Sequence, residues 1–238
     1  MQQAPTGISL YGPTGSRKYL NAAERRRFAK AARPAVTEVR LFCLTLLLSG
    51  GRLSEILALT PAAIDLDSCV ATIRTLKRRK LGLMRQVPLP RSLIRALDRA
   101  FSIRRRQRDP LEAASRLWCW SRTTAWRRVK EIMSAANIVG LPATPKGLRH
   151  SFGVHAFQSS VPPHLVQRWL GHASLRTTAV YADVVGPEER AFAVWMWGRQ
   201  TDEHGTALPA QSRPAGEAAK RVRSGQHRHA HVRERTSR

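Results

Sequence analysis

Two short segments of this 238-residue chain place charged side chains at helical spacing. Arg52 and Glu55 stand three residues apart, which is the spacing of neighbours on one face of a helix. Lys146 and Arg149 have the same spacing, and His150 follows directly. Guanidinium groups are planar bidentate donors that suit the charged oxygens of a group such as phosphate. These arginines are therefore candidates for binding an oxyanion.

Two further segments carry candidate acid, base and nucleophile groups. Lys77 begins a basic turn, and His172 follows a Leu-Gly pair and precedes Tyr181 by nine residues. A tyrosine hydroxyl has a pKa near 10, so it is a poor nucleophile until a cationic pocket and a base assist it. Taken singly, each segment has an ordinary explanation as an ion pair, a solvated loop, a core histidine or a packed ring. Their joint occurrence favours a single reactive site.

The charge of the chain predicts a polyanionic partner. There are 41 Lys and Arg against 16 Asp and Glu, a net charge of +25. Residues 199–238 hold nine basic and four acidic side chains, so residues 1–198 carry +20. Such a surface repels itself unless it meets a polyanion, and nucleic acid is the expected partner. Charge alone leaves ribosomal or membrane-surface binding open.

Cysteine usage and hydropathy indicate where the protein works. The three cysteines, Cys43, Cys69 and Cys119, form no C-x-x-C pair, so neither a zinc site nor a disulfide framework is predicted. The apolar run at 41–48 has eight residues, far short of the roughly 20 that span a bilayer. No signal peptide precedes it. We expect a cytoplasmic, nucleoid-associated protein with no membrane partner.

The elements that must position these residues follow from the hydrophobic pattern, which predicts a mainly α fold with a small antiparallel β-hairpin (α+β). The hairpin pairs 70–76 with 86–89 through the basic turn. The predicted helices cover 21–33, 35–49, 53–59, 91–106, 122–137, 145–158, 162–170, 174–183 and 187–198. Composition predicts three domains: a flexible leader at 1–17, a folded domain at 18–198, and a basic disordered tail at 199–238.

Four of these segments together resemble the tyrosine recombinases, the phage integrase family. Gly51–Leu59, read Gly-Arg-Leu-Ser-Glu-Ile-Leu-Ala-Leu, is similar to the first arginine box of the family, and Lys146-x-x-Arg149-His150 is similar to the second. Leu170–Ser174 with Thr177–Tyr181 resembles its Leu-Gly-His and nucleophile segment. A strand, Lys77 and a strand ending in Val-Pro-Leu complete the set. The resemblance covers about residues 20–198.

The resemblance implies a site-specific DNA recombinase that cleaves and rejoins double-stranded DNA. Tyr181 would attack phosphorus and form a 3′-phosphotyrosyl link, with Arg52 and Arg149 holding the phosphate oxygens. Lys77 would protonate the departing 5′-oxygen as general acid. No cofactor or metal is implied, because the covalent link conserves the bond energy for rejoining. Inversion, resolution and integration stay open as outcomes.

Supporting roles also follow from the resemblance. Lys146 and His172 would donate hydrogen bonds to the phosphate, and His150 would support the pocket or shuttle a proton. Glu55 would orient Arg52. The basic hairpin tip would contact DNA through Arg78, Arg79 and Lys80.

Three departures from the family pattern affect these expectations. Lys146 stands where histidine is commoner, and it can donate to phosphate without acting as a histidine acid or base. Lys80 could reach the site from the same turn as Lys77. Arg52 comes too early in the chain for the helical DNA-binding domain that usually precedes it, a layout similar to short fimbrial-switch-type invertases.

The expected partners are double-stranded DNA, further copies of the chain in a tetramer on DNA, and a host DNA-bending protein. The resemblance implies that the apolar segment 187–198 would dock on a neighbouring protomer, and the alternative is that it would cover its own core. Two alternatives are a non-catalytic DNA-binding protein derived from a recombinase and a type IB topoisomerase-like enzyme. An RNA-binding protein is supported by charge alone.

Overall fold

The computed structural model of the chain describes residues 9–75 and 83–182. Within these residues there are three strands, β1 (Ile64–Asp65), β2 (Val70–Arg74) and β3 (Met84–Pro88), and a short 3-10 turn at Pro61–Ala63. The helices of this part are α1 (Ala22–Ala32), α2 (Thr37–Ser49), α3 (Leu53–Leu57), α4 (Arg91–Phe101), α5 (Ile103–Arg106), α6 (Pro110–Ala114), α7 (Arg122–Ala135), α8 (Pro145–Gln158), α9 (Pro163–Leu170) and α10 (Arg176–Ala179). The predicted mainly α fold with a small antiparallel sheet is confirmed. The predicted helix at 187–198 and the tail at 199–238 lie outside the described residues.

Helix α2 forms the centre of the core because it is apolar on nearly every side. Eight of its residues are buried, and it packs against α1, α4, α7 and α8. Gly50 ends the helix in a left-handed conformation with φ of 62°, which glycine adopts without strain. No helix among the described residues is long and apolar enough to cross a membrane.

A capping box starts α1 as the sequence predicts. Asn21 Oδ1 accepts the backbone N–H of Glu24 at 2.8 Å, and the Glu24 carboxylate accepts the backbone N–H of Asn21 at 2.9 Å. Glu24 also pairs with Arg17. Residues 9–17 belong to the expected leader. Their backbone reverses direction, because Tyr11 and Arg17 form an antiparallel bridge, and the side chain of Leu10 is buried.

The sheet has the order β1-β2-β3 and is antiparallel throughout. Alternate residues of each strand face the core, so Ala71 and Ile73 of β2 are buried opposite Val87 and Arg85 of β3. A charged side chain therefore occupies an inward position of this sheet. The predicted strand pair is present, and β1 is an additional short edge.

Helix boundaries differ from the prediction between α4 and α6. A single helix was expected over 91–106, but the chain breaks at Ser102, which has φ of 50°. The carboxylate of Asp98 accepts the backbone N–H of Arg104 at 2.8 Å, and this bond fixes the break. Pro110 at the first turn of α6 starts a short helix that the pattern did not predict.

Two tryptophans complete the core around α2. Trp118 is fully buried, and its indole N–H donates to the carbonyl of Glu38 at 3.1 Å. The ring of Phe42 meets those of Trp118 and Trp120 edge-on at 5.2 and 5.5 Å. Trp126 is 43% exposed, with the Lys130 ammonium 5.8 Å from its ring centre.

Candidate active site

Arg52 lies at the N-cap of α3, immediately after the glycine turn that ends α2. Its backbone N–H and its Nη1 donate to the two oxygens of Glu55, at 2.9 and 2.6 Å. The Arg52 side chain is 37% exposed, whereas Glu55 is buried. The buried carboxylate thus holds a guanidinium that is itself partly exposed to solvent.

Arg149 joins two segments that are far apart in the sequence. Thr144 caps α8 by accepting the backbone N–H of Gly147 at 3.0 Å, and this start buries Arg149 one turn further along. Its Nη1 donates to the carbonyl of Gly50 at 2.8 Å and its Nη2 to that of Leu170 at 2.6 Å. A guanidinium has five N–H donors, and the described residues supply acceptors for two of those of Arg149. Burial, followed by the charge of Arg52, lowers the pKa of Arg149 to about 9.

His172 is delivered by a turn at the end of α9. Gly171 has φ of 64°, and the backbone N–H of His172 returns to the carbonyl of Gln167 at 3.1 Å. The imidazole Nδ1 lies 2.9 Å from the Thr178 hydroxyl. Burial, and then the charges of Arg149 and Arg52, lower the pKa of His172 to about 3, so the ring is neutral at neutral pH.

Tyr181 is 1% exposed, and its hydroxyl lies 3.2 Å from Nδ1 of His150. Its ring stacks on that of His172, with centroids 6.1 Å apart and planes at 13°. Gly153 leaves the space that the ring fills, because a Cβ there would lie 2.6 Å from the phenol carbon Cζ. Burial raises the pKa of Tyr181 more than Arg149 and Arg52 lower it.

His150 is the polar neighbour of the tyrosine hydroxyl. Burial, and then the charges of Lys146 and Arg149, lower the pKa of His150 to about 4. The ring is therefore neutral at neutral pH, and its Nδ1 can accept the proton of the Tyr181 hydroxyl. The opposite nitrogen, Nε2, is buried and has no hydrogen-bond partner among the described residues.

The other predicted residues fall into two groups. Lys146 is exposed in the first turn of α8, where its charge acts on His150. The four residues predicted at the hairpin tip, Lys77, Arg78, Arg79 and Lys80, lie outside the described residues.

Sequence reasoning missed Arg85, which is buried in β3 and donates from Nη2 to Glu55 at 2.5 Å. The signal was an arginine at an inward position of an alternating strand, but the predicted strand began one residue too late to include it. Burial alone would raise the pKa of Glu55, but the hydrogen bond and charge of Arg85, with those of Arg52, lower it. We call Arg52, Arg85 and Arg149 with Glu55 the arginine cluster.

The described site carries more positive than negative charge. The arginine cluster has three guanidinium groups and one carboxylate, which leaves an excess of positive charge. An incoming phosphodiester would neutralise part of this excess. We call His150, His172 and Tyr181 the tyrosine cluster; it meets the arginine cluster where Arg149 acts electrostatically on both histidines. Together they can bind a phosphate group beside a phenol and a neutral imidazole.

A cavity of about 430 Å³ lies elsewhere, between α3 and the segment that leads into α7. Its walls include Leu57, Ala58 and Trp120, and none of the candidate catalytic side chains lines it. We therefore assign the candidate site to the two clusters and not to this cavity.

Comparison with known proteins shows which family the chain resembles. The sequence pattern of the phage integrase family matches residues 18–186. Tyrosine recombinase XerA of Thermococcus kodakarensis is 29% identical over 182 residues, which cover 72% of this chain and 60% of that protein. Tyrosine recombinase XerD of Neisseria meningitidis serogroup A is 30% identical over 163 residues, covering 66% of this chain and 51% of that protein. The chain thus spans about half to three fifths of the length of these relatives.

A solved structure shows the same fold. The XerH site-specific recombinase bound to its difH substrate in a pre-cleavage complex superposes with a TM-score of 0.61 at 21% identity, covering 79% of this chain and 59% of that one. The family match at residues 18–186 includes the segments around Arg52, Arg149 and Tyr181. The fold brings these three residues close together. This chain belongs to the phage integrase family.

Proposed function

We propose that this chain is the catalytic part of a site-specific DNA recombinase, which cleaves and rejoins double-stranded DNA through a 3′-phosphotyrosyl intermediate on Tyr181. The recombinase relatives support the activity, and the DNA-bound XerH complex with the net charge of +25 supports DNA as substrate. The single observation that carries the proposal is a tyrosine hydroxyl 3.2 Å from a neutral imidazole, within electrostatic reach of two arginines.

In the proposed reaction, Arg52 and Arg149 bind the nonbridging oxygens of the scissile phosphate. Both are partly fixed by protein acceptors and keep unused donors, so they stabilise developing charge without reorganising. Tyr181 Oη forms a bond to phosphorus, its proton passes to His150, and the bond from phosphorus to the 5′-oxygen breaks. Lys77 supplies the proton that the 5′-oxygen takes up.

His172 and Lys146 complete the phosphate contacts in this proposal. When the Thr178 hydroxyl donates to Nδ1 of His172, the neutral ring carries its proton on Nε2 and can donate it to a phosphate oxygen. Lys146 is exposed beside the site and can approach the same phosphate as a flexible point charge. The full burial of Tyr181 requires its segment to shift when DNA binds.

We further propose that the catalytic domain covers residues 18–198 and that the basic stretch 199–238 adds nonspecific affinity for DNA. Recombination would require a tetramer on DNA, assisted by a host DNA-bending protein, and would take place at the nucleoid in the cytoplasm. The hairpin-tip residues Arg78, Arg79 and Lys80 would contact the DNA backbone.

The test is covalent capture. Wild type, Tyr181→Phe and the matched control Tyr19→Phe are incubated with nicked DNA from the gene's own genetic neighbourhood, and denaturing gels reveal protein attached to DNA. We expect an adduct with wild type and Tyr19→Phe and none with Tyr181→Phe. An adduct formed by Tyr181→Phe would overturn the nucleophile assignment. Tight salt-dependent binding with no adduct on any neighbouring site would favour the DNA-binding alternative.

A further inference from the structure

Arg85 is buried at an inward position of β3 and donates to three separate segments of the site. Its Nη2 donates to Glu55 in α3 at 2.5 Å, its Nε to the carbonyl of Trp169 in α9 at 2.7 Å, and its Nη1 to the Thr75 hydroxyl at 3.3 Å. Among the described residues assigned by family resemblance, none forms side-chain hydrogen bonds to as many separate segments. Arg85 therefore connects the segments that carry the candidate site residues.

The first link controls Arg52. Glu55 Oε2 receives Arg85, which leaves Oε1 to receive Nη1 of Arg52 at 2.6 Å. The two guanidinium groups share one carboxylate, so the orientation of that carboxylate depends on the buried partner. Arg52, which is the more exposed of the two, is held by a carboxylate that Arg85 holds in turn.

The second link controls the turn that carries His172. Arg85 binds the Trp169 carbonyl at the C-terminal end of α9, where unpaired carbonyls favour a cation. Gly171 then packs against the same side chain, since a Cβ at this position would lie 3.0 Å from Cδ of Arg85. The turn therefore rests on the aliphatic stem and the guanidinium of Arg85.

The third link reaches the strand end that leads to Lys77. Thr75 follows β2, and its backbone N–H donates to the carbonyl of Leu83 at 2.8 Å, which closes the described part of the hairpin. Lys77 stands two residues further along. The bond from Arg85 to the Thr75 hydroxyl thus holds the described end of this strand, which precedes Lys77 in the sequence.

We propose that Arg85 is a positioning residue for DNA cleavage: through Glu55, Trp169 and Thr75 it sets the relative placement of Arg52, His172 and the strand end before Lys77, without touching DNA itself. This inference rests on the proposed recombinase function. A lysine would keep the charge, but its three N–H donors radiate from a single nitrogen, whereas three separate nitrogens of the planar arginine fork reach the three acceptors. Only arginine can therefore form all three hydrogen bonds from this position.

The test compares Arg85→Lys with Arg74→Lys, an exposed arginine of the neighbouring strand. Single-turnover cleavage of nicked DNA is measured at increasing protein concentration, so that the maximal rate constant and the half-saturating concentration are separated. We expect Arg85→Lys to lower the maximal rate constant by about 10²-fold, because misplacement of catalytic groups by about 1 Å has that effect. The half-saturating concentration and the circular dichroism spectrum should stay close to wild type, and Arg74→Lys should cleave normally.

A double variant tests the route through Glu55. If Arg85 acts through that carboxylate, Arg85→Lys with Glu55→Gln should be no slower than the slower single variant. Independent, multiplying losses would overturn the route. If Arg85→Lys does not fold, Thr75→Val removes one link and keeps the buried ion pair, and a several-fold slower maximal rate with normal DNA affinity is expected.

The outcomes separate this inference from the proposed function. Wild-type rates for Arg85→Lys, or equal losses of rate and affinity with a lowered melting temperature, would overturn the positioning role while the wild-type adduct upholds the function. Absence of any Tyr181-dependent adduct with wild type would remove both.

Discussion

The two halves of the candidate site are prepared to different degrees. In the arginine cluster every guanidinium is fixed by carboxylate, carbonyl or hydroxyl acceptors, and Arg52 still presents free donors to solvent. In the tyrosine cluster Tyr181 is almost wholly buried, and its hydroxyl is bound to His150. The half that we propose to bind phosphate is thus held in place by protein acceptors, whereas the proposed nucleophile, Tyr181, is buried. The contrast teaches that the proposed nucleophile is the more buried of the two groups, while the proposed phosphate ligand Arg52 is partly exposed.

The largest effect is expected from the arginine cluster. Arg149→Lys loses the planar fork that binds both Gly50 and Leu170 and offers further donors to phosphate. We expect cleavage of nicked DNA to fall by about 10³-fold, the upper end of the effect of removing one oxyanion donor. The matched control is Arg99→Lys at an exposed position of α4, and single-turnover gels measure both variants. Cleavage by Arg149→Lys within tenfold of wild type would contradict a prepared arginine cluster.

Glu55→Gln breaks the same cluster from its anionic side. The variant leaves Arg85 buried without a counter-charge, and removal of one partner of a buried pair costs about 3–5 kcal/mol in the free energy of unfolding. Glu24→Gln is the comparison, because Glu24 pairs with the more exposed Arg17 and glutamine also fits a capping box. We expect about 1 kcal/mol or less for this control, measured by urea denaturation. Equal losses in the free energy of unfolding for Glu55→Gln and Glu24→Gln would contradict a larger contribution from the buried ion pair of the arginine cluster.

Gly153→Ala disturbs only the tyrosine cluster. The new Cβ would lie 2.6 Å from Cζ of Tyr181, so the ring must move, and overpacking of this kind costs about 1–3 kcal/mol. We expect nitration by tetranitromethane, mapped by mass spectrometry, to spread to Tyr181 in the variant. Tyr11, which is 39% exposed, is the internal standard, and it reacts in both proteins. Nitration of Tyr181 in the wild type to the same extent as Tyr11 would contradict the burial of the Tyr181 ring.

The smallest effect is the pH dependence of stability that the two histidines cause. The pKa of His150 falls from 6.5 to about 4 on folding, and that of His172 to about 3. The unfolded chain therefore binds more protons below pH 6.5, and stability falls as the pH is lowered from 6.5 towards these values. We expect each histidine to lower the free energy of unfolding by about 1 kcal/mol between pH 7.5 and 5.5. His150→Gln and His172→Gln should each remove their share of this pH dependence. Stability that stays level in wild type over this range would contradict neutral, buried rings.

The prediction of elements succeeded where the signal was local. The capping box at Asn21, the apolar run of α2 and the alternation of β2 each depend on neighbours in the chain, and each is present. The break at Ser102 was missed because it depends on a side-chain bond from Asp98 to a backbone group six residues away. Such a bond leaves no periodic signal.

The sequence by itself determined the family and predicted a reactive set, because the residue types, order and spacing around Arg52, Arg149, His172 and Tyr181 resemble the family pattern. Only the tertiary structure decided how they are held. Arg85 joins segments 30 and 84 residues away from it, and Tyr181 is buried against Gly153 and His150, more than two dozen residues earlier. Burial and hydrogen bonding between distant segments set both the protonation states and the access of the nucleophile. These are properties of packing, which spacing along the chain does not encode.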